Sequence, residues 1–531
     1  MPPDVEFEPR TTRAGRPHPR RILRMAVDLV VAGIGVFAAL LCLRAKGNYA
    51  SAPWIGLIAP AVLMLASAGY RARISGVVRA WWGSLAEFNE CGGVPPWRAA
   101  LLFVTLPAIL LDLSNNDFEG SGDTRPVIPT AVSLVTQGNW DLDEFDRPGR
   151  PDNLFGRGPH LAYDLTRRHG RVYSAYPAGM VLLATPVVGL ARLAGADLFA
   201  VPVQARLEKI VATLVEATAL GLFFLIAARL APAPLALLAT LILGLGSGMF
   251  STVARGAWQH GGIILAMMAV LLAEVSREGG PGRVGIVTQG VACGLLPSFR
   301  LTAASFLIPF GLWMLWKSPR RALAVVGLAA LVYAPWAAWY LSIYGSPLGP
   351  STSQMGGSSW TTHIGWPLMG LLASPGRGLL IYQPWAILAL LTLVPACLHS
   401  ARSLGITTGP RGFMLLCGLI VVAHLLLIAA WRIWYGGYCW GSRLIVETQP
   451  LLALLALPGL AVLCATRWGR LTVATLTLTG IVMQVPGVYL HACRWNIAVH
   501  IDEHPDSVWS WSDPPFLAPW TGKAGAVPPG G

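Results

Sequence analysis

Runs of apolar residues recur along almost the whole chain, and many approach the ~20 residues that a helix needs to cross a bilayer. Hydrophobic residues make up 54% of the 531-residue sequence, whereas charged residues make up 12%. Soluble domains carry roughly 25% charged residues, so this composition indicates that lipid surrounds much of the protein. We therefore predict an all-α polytopic membrane protein.

The distribution of arginine predicts the number of spans. The apolar run 178–195 decides the parity, because every later loop changes sides if that run crosses the membrane. As a surface or re-entrant element, it leaves "REGGPGR" (277–283) and "KSPRR" (317–321) in the cytoplasm, as the positive-inside rule favours. This choice gives thirteen predicted spans: 25–43, 53–70, 99–113, 207–228, 232–250, 258–276, 284–298, 301–316, 321–343, 379–398, 412–431, 444–465 and 470–491.

The same parity puts four features on one outer face: the loop 114–206, the turn around Arg300, the loop 344–378 and the Trp-rich segment 432–443. The loop 114–206 holds 10 of the 26 acidic residues, which favours it as the place of a functional site. The net charge of +13 is explained by the cytoplasmic loops rather than by a basic face for nucleic acid. The first apolar run has no small-residue cleavage site, so it is predicted to be a spanning helix and not a removed signal peptide. The N-terminus is predicted to be cytoplasmic and the protein to lie in the plasma (inner) membrane.

Within the long loop, "NNDFEGSGDTRP" combines acidic residues with glycines that allow a sharp turn. Pro126 and Pro129 favour the first turn of a helix that ends near Gly138. Asp123 lies just before that helix, so it could cap the helix N-terminus or act as a base, and the two roles are compatible. Asp117 is a second acid in the same stretch.

Three arginines lie where predicted outer segments meet the membrane, namely Arg300, Arg377 and Arg443. Guanidinium groups at one depth could clamp a phosphate, although Arg300 could equally be an interfacial residue at a tight hairpin. Glu447, one turn after Arg443, offers an intrahelical ion pair as the competing explanation. Glu216 has no obvious local partner and could face a cavity.

Several familiar catalytic and binding signatures are missing from the sequence. We find no HExxH, Walker, GxSxG or DxxD pattern and no paired histidines with ligand spacing. The single histidines His160, His169, His260 and His363 are therefore predicted to be structural. No metal site and no nucleotide cofactor are predicted.

An acid shortly after a spanning helix, then "YPAGMVLL" (176–183) and "ARLEK" (205–209), resembles the GT-C superfamily of membrane glycosyltransferases. The likeness is to protein O-mannosyltransferases and lipid A aminoarabinose transferases, and it covers about residues 99–345. The chain departs from their pattern at Thr124, where a second acid is typical, and at Ala178, where a second proline is typical. Two additional predicted helices precede the usual first one.

The resemblance implies a sugar donor on a polyprenyl phosphate, an acceptor hydroxyl on a lipid, glycan or protein, and inversion at the anomeric carbon. Membrane lipids are implied as partners and nucleic acid is not. Asp123 would be the base, with Asp117 or Glu119 as helper or substitute. The residues that would bind the donor phosphate are Arg300 and Arg443, with Arg377 or Lys209.

The implied organisation has five regions: a disordered basic N-terminus (1–24), two additional helices with a cytoplasmic loop (25–98), the catalytic module (99–345), C-terminal helices (346–501) and a flexible tail (502–531). Two alternatives to an enzyme stay open, a transporter or lipid-linked-sugar flippase and a structural scaffold. A transporter is expected to show repeated halves with broken helices, and the sequence shows no such symmetry.

Overall fold

The computed structural model describes residues 96–114, 121–146, 154, 161–276, 280–351, 359–361, 363–410, 412–489 and 493–518, which all belong to one compact unit. The predicted spans 25–43 and 53–70 lie outside the described residues, and so do Asp117 and Glu119. Helices dominate the part of the chain that is described, as the apolar sequence predicts.

The α-helices in chain order are α1 (Pro96–Ala100), α2 (Leu106–Ser114), α3 (Val127–Thr136), α4 (Gly179–Leu193), α5 (Val201–Leu230), α6 (Ala233–Leu245), α7 (Gln259–Val275), α8 (Arg283–Phe299), α9 (Ala304–Lys317), α10 (Pro319–Tyr344), α11 (Gly365–Ala373), α12 (Leu379–Tyr382), α13 (Pro395–Ser403), α14 (Phe413–Ala429), α15 (Gln449–Cys464), α16 (Arg467–Tyr489) and α17 (Cys493–Ala498). Turns of π-helix lie at Leu101–Thr105 and Met249–Val253. Turns of 3-10 helix lie at Asp143–Phe145, Leu301–Ala303, Pro384–Leu393, Arg443–Thr448 and Pro505–Trp509.

An antiparallel hairpin interrupts the helices. Its strands are β1 (Leu165–Arg168) and β2 (Arg171–Ser174), with Leu165 paired to Ser174. His169 and Gly170 join them with φ angles of 49° and 81°, the positive values that a two-residue type I′ turn requires. The prediction of an all-α fold is therefore wrong for this segment, whose strands have only four residues each.

Four described helical segments are long and apolar enough to cross a membrane: α5, α10, Arg443–Cys464 and α16. The chain is thus a multi-spanning membrane protein by the length and composition of its helices. Shorter apolar helices are α3, α4, α6, α7, Leu301–Lys317 and α14. The total of thirteen spans stays a prediction.

The predicted span 379–398 is broken, and it is not one continuous helix. The segment is divided into α12, a 3-10 turn and α13, and the last two meet at 94°. The 3-10 turn begins at Pro384 and α13 begins at Pro395. Proline suits the start of a helical segment but removes a hydrogen bond from a helix interior, which explains the break.

The segments that could span differ greatly in burial. Within its most apolar stretch α10 is only 11% buried, whereas Arg443–Cys464 is 94% buried. An apolar helix with so little protein around it is suited to face lipid, and one that is buried all round belongs to the centre of a bundle. Arg443 therefore stands at the beginning of a central helical segment.

Two glycines bring the end of α8 close to its neighbours. A Cβ atom added at Gly262 of α7 would lie 2.2 Å from the Phe299 ring, and one added at Gly179 of α4 would lie 2.6 Å from it. Small residues at helix contacts let backbones approach closely. The packing of Phe299 between α4 and α7 fixes the position of Arg300, which follows it in extended conformation.

Candidate active site

Asp123 lies in the turn that precedes α3. Its Oδ1 accepts a hydrogen bond from the Tyr176 hydroxyl at 2.6 Å, and its Oδ2 accepts one from Arg443 Nη1 at 3.0 Å. The N-cap residue of α3 is Pro126, and no side chain caps that helix. The capping role that the sequence left open for Asp123 is therefore wrong, since its carboxylate binds residues 53 and 320 positions away.

Arg443 is held by three different groups. Besides its ion pair with Asp123, its Nη2 donates to the carbonyl of Gly436 at 2.7 Å, and its guanidinium lies 4.4 Å from the centroid of the Trp258 ring. The planar guanidinium suits a combination of directional hydrogen bonds and aromatic stacking. The side chains of Arg443 and Asp123 are 9% and 18% exposed, so the pair is largely buried but still reaches the surface of the protein.

The surroundings of Asp123 favour its ionised form. Burial alone would raise the pKa of this carboxyl, but the Arg443 charge, the Tyr176 hydroxyl and the Arg300 charge together bring the pKa below its ordinary value. Burial and the neighbouring Asp123 charge raise the pKa of Tyr176, so the phenol keeps its proton and donates it in the hydrogen bond. The site thus holds one carboxylate between two positive charges.

Arg300 is linked to the bundle centre through His260. Arg300 Nη1 lies 3.1 Å from His260 Nε2, and His260 Nδ1 lies 2.7 Å from Glu447 Oε1. A guanidinium can only donate, so Nε2 is the acceptor, and Nδ1 carries the proton that Glu447 accepts. This tautomer of His260, neutral at Nε2, orients Arg300.

Glu447 connects two histidines rather than its own helical neighbour. Its carboxylate oxygens lie 2.7 Å from His260 Nδ1 and 3.3 Å from His424 Nε2. The ion pair of Arg443 is made with Asp123. The intrahelical Arg443–Glu447 pair considered from the sequence therefore gives way to pairs between distant segments.

Hydrogen bonds to the backbone fix the turn that carries Asp123. Gln259 Nε2 donates to the Asp123 carbonyl at 2.8 Å, and the Asp123 N–H donates to Ser121 Oγ at 3.3 Å. Glu208 of α5 forms a hydrogen bond with the Thr124 side chain and accepts one from the Ala257 N–H at 3.1 Å. The turn is thus tied to the start of α7 and to α5.

Arg377 has a different environment from Arg443. It is 1% exposed, and its guanidinium donates to the carbonyls of Tyr435 at 2.5 Å and Gly437 at 2.9 Å and to Asn496 Oδ1 at 2.6 Å. It therefore holds the chain on both sides of Gly436, whose carbonyl binds Arg443. These contacts make Arg377 a support for the turn beside the site, and its predicted role in phosphate binding remains a prediction.

Lys209 lies with a second group of acids. Its Nζ donates to the Ala254 carbonyl at 2.7 Å, and its charge acts on Asp112 and Glu216, whose side chains share a hydrogen bond. Asp112, Glu216 and Lys209 are 3%, 2% and 6% exposed. Glu216 thus has partners that the sequence did not reveal. The described contacts of Lys209 are with these buried groups, and its predicted phosphate role remains a prediction.

The structure brings together Asp123, Arg443 and Arg300 among the residues predicted from the sequence. The sequence alone did not indicate Tyr176, although this residue lies in the "YPAG" element, and it predicted His260 to be an isolated structural residue. Trp258 and Gln259 directly precede His260, so the "WQH" cluster was an available signal. Among the residues that the structure describes, no group of three or more His, Cys, Asp or Glu side chains is placed to hold a metal ion.

No protein-family model and no curated protein matches the chain. Among solved structures, the chain is similar to ArnT from Cupriavidus metallidurans in the apo state, with 15% identity over 78% of this chain and 74% of that one and a TM-score of 0.41. A likeness of this size does not assign a family or a function.

Proposed function

We propose that the protein is an integral-membrane glycosyltransferase that moves a sugar from a polyprenyl-phosphate donor to an acceptor hydroxyl on the outer face of the plasma membrane. The observation that carries the proposal is the Asp123–Arg443 pair at 3.0 Å, with the Arg300 charge acting on the same carboxylate. One base beside two cations is what transfer from a lipid phosphate requires. The sequence resemblance to the GT-C superfamily supports the same function.

The step that we propose is a single displacement. The acceptor oxygen forms a bond to the anomeric carbon while the bond from that carbon to the phosphate oxygen breaks, and the hydroxyl proton passes to the Asp123 carboxylate. The electron pair of the broken bond leaves on the polyprenyl phosphate, and attack opposite the leaving group inverts the anomeric carbon. A positioned general base contributes about 10²–10⁴-fold to the rate of such a step.

The charge on the leaving phosphate has two candidate partners. Arg443 offers a planar fork suited to phosphate oxygens, and Arg300 is oriented by the neutral Nε2 of His260. In the described structure one Nη atom of Arg443 binds Asp123. We propose that an incoming phosphate takes over part of this contact, which leaves Asp123 free to accept a proton.

The test is the substitution Asp123→Asn in cells, with exposed Asp146 of the same loop replaced by Asn as the matched control. Surface glycoconjugates are compared by mass spectrometry in cells with each variant, and folding is checked by size-exclusion chromatography. The proposal expects one modification to disappear with Asp123→Asn and to persist with Asp146→Asn. Unchanged glycoconjugates with a folded Asp123→Asn protein would remove Asp123 from the proposal.

A flippase for lipid-linked sugar is the alternative that the same experiment must separate. Purified protein in vesicles is given a polyprenyl-phosphate sugar in one leaflet only. Movement of that lipid to the other leaflet, without transfer of its sugar, would favour the flippase. Release of polyprenyl phosphate that requires Asp123 would favour the enzyme.

A further inference from the structure

A cavity of about 440 Å³ lies beside the turn that carries Asp123. Ser121 and Gly122, the two residues before Asp123, contribute to its wall, and Glu208 of α5 contributes from the opposite element. Glu208 is hydrogen-bonded to the side chain of Thr124, the residue after Asp123. The cavity is therefore lined in part by the turn that carries Asp123 and by the residue that binds this turn. Ligand pockets of small molecules have volumes of roughly 300–1,000 Å³, so this one can hold a small ligand.

The described cation in the wall of this cavity is already paired. Arg125 is the cation among its described lining residues, and Asp164, also in the wall, holds it by hydrogen bonds of 2.7 Å to Nε and 2.5 Å to Nη2. Glu208 adds a buried acid to the same wall. A phosphate or carboxylate entering here would meet a neutralised guanidinium and a second acid, whereas the Asp123 side offers Arg443. The cavity therefore favours a neutral ligand.

Its lining combines polar groups with apolar ones. Ile128 and Pro129 of α3 and Val201 and Ala205 of α5 contribute apolar groups to the wall. Tyr163 adds an aromatic ring that is 72% exposed and that rests against Gly122, where a Cβ atom would lie 2.0 Å from its hydroxyl. Apolar walls with a few fixed polar groups are typical of small-molecule sites. A sugar ring matches such a wall, because it has apolar C–H faces and a rim of hydroxyls.

We infer that this cavity is the acceptor subsite and that it binds a neutral, hydroxyl-rich ring, namely a terminal sugar of a glycan or glycolipid. The inference rests on the proposed function, since it assigns the acceptor of the same site. The donor phosphate is handled by Arg443 and Arg300, and the acceptor hydroxyl approaches Asp123 from the space next to Ser121 and Gly122. The acceptor is thus a carbohydrate rather than a protein side chain or a phosphorylated group.

The experiment uses the full-length protein in nanodiscs and saturation-transfer NMR with a panel of neutral methyl hexosides and the matching hexose 6-phosphates. The inference expects saturation transfer to at least one neutral glycoside and none to its phosphate. Ala205→Trp fills the cavity and should abolish the signal, while Ala194→Trp, at an exposed position, should leave it unchanged. Tyr163→Ala should weaken glycoside binding several-fold. Because Tyr163 is mostly exposed, that variant tests the inference even if Ala205→Trp does not fold.

Three outcomes would overturn the inference. The first is the absence of any glycoside signal in the wild type, and the second is a signal that survives both Ala205→Trp and Tyr163→Ala. The third is displacement of the glycoside by polyprenyl phosphate alone, which would assign the cavity to the donor. A parallel binding measurement with polyprenyl phosphate separates this failure from failure of the proposed function. If the wild-type protein does not bind polyprenyl phosphate, the proposed function is contradicted. If it binds polyprenyl phosphate but no glycoside, only the acceptor subsite is contradicted.

Discussion

Asp112 and Asp123 are eleven residues apart in the sequence, and each belongs to a cluster of acids and cations. The two clusters differ in exposure and in charge balance. The Asp112 cluster consists of Asp112, Glu216 and Lys209, none of which is more than 6% exposed. The Asp123 cluster consists of Asp123, Arg443 and Arg300, and its carboxylate is 18% exposed. The charged groups of the Asp112 cluster are buried and interact with one another, whereas the Asp123 carboxylate is accessible from the protein surface.

The balance of charge differs as well. The Asp112 cluster sets two carboxyl groups that share a hydrogen bond beside one ammonium group. The Asp123 cluster sets one carboxylate beside two guanidinium groups and so has a surplus of positive charge. A surplus that is open to the surface can receive an anion, while a closed and balanced group joins helices. Exposure and charge balance, more than residue type, therefore favour the Asp123 cluster over the Asp112 cluster as the place where an anion binds.

The largest expected effect is on catalysis at the Asp123 cluster. Asp123→Asn keeps the size of the side chain but removes the base, so sugar transfer by purified protein should fall by about 10²–10⁴-fold. The midpoint temperature of thermal unfolding should change little. The rate of sugar transfer is measured from the release of polyprenyl phosphate, and Asp146→Asn is the control. If a folded Asp123→Asn variant transferred sugar at a rate within a factor of ten of the wild type, the assignment of Asp123 as the base would be contradicted.

The next effect is on stability at the Asp112 cluster. Lys209→Met leaves two buried acids without their cation, and breaking a buried pair in this way costs about 3–5 kcal/mol. Denaturant unfolding in detergent micelles measures the loss, and Lys209→Met combined with Glu216→Gln should recover part of it. If Lys209→Met were as stable as the wild type but inactive, Lys209 would belong to the catalytic group instead.

His260 offers a test of how Arg300 is positioned. His260→Leu removes the acceptor that orients Arg300, so the KM for the lipid donor should rise about tenfold, while kcat should change less. His260→Gln can still accept from Arg300 and donate to Glu447, so it should restore much of the donor affinity. Equal defects in both variants, or a defect in kcat alone, would argue against positioning through His260.

The smallest effect is a shift in pH dependence. A carboxyl with a lowered pKa stays ionised at neutral pH and loses its charge only as the pH falls through that lowered value. Tyr176→Phe removes one hydrogen bond that lowers the pKa of Asp123, so the acid limb of kcat/KM should move to higher pH. The rate at pH 7 should fall by only about two- to tenfold. Tyr173→Phe is the control, and an unmoved acid limb in Tyr176→Phe would contradict the role of this hydrogen bond.

Sequence patterns predicted those features that depend on local chemistry. Apolar length predicted the membrane helices, and Pro126 with Pro129 predicted α3. The acid-rich loop and the arginines at the ends of apolar runs indicated Asp123, Arg300 and Arg443, whose charges interact in the structure. Their functional roles stay predictions. These features follow from burial of apolar surface and from backbone preferences, which act over a few residues.

Features that depend on distant contacts could not be predicted in this way. Glu447 appeared suited to Arg443 by helical spacing, but the 3-10 geometry of Arg443–Thr448 and the approach of His260 and His424 gave it other partners. Nothing in the sequence indicated that Lys209 and Glu216 belong to one cluster. Asp112, which interacts with both, lies in an apolar run and did not stand out. The hairpin at 165–174 escaped notice because its turn is His-Gly, a weaker signal than Asn-Gly.

The most direct test of the central claim, that the Asp123 cluster and not the Asp112 cluster receives the lipid phosphate, is equilibrium binding of polyprenyl phosphate to protein in nanodiscs. Arg443→Gln and Lys209→Met are compared with the wild type at equal folded concentration. Arg443→Gln should weaken binding tenfold or more, and Lys209→Met should bind like the wild type. Retained binding in Arg443→Gln together with lost binding in Lys209→Met would contradict the account.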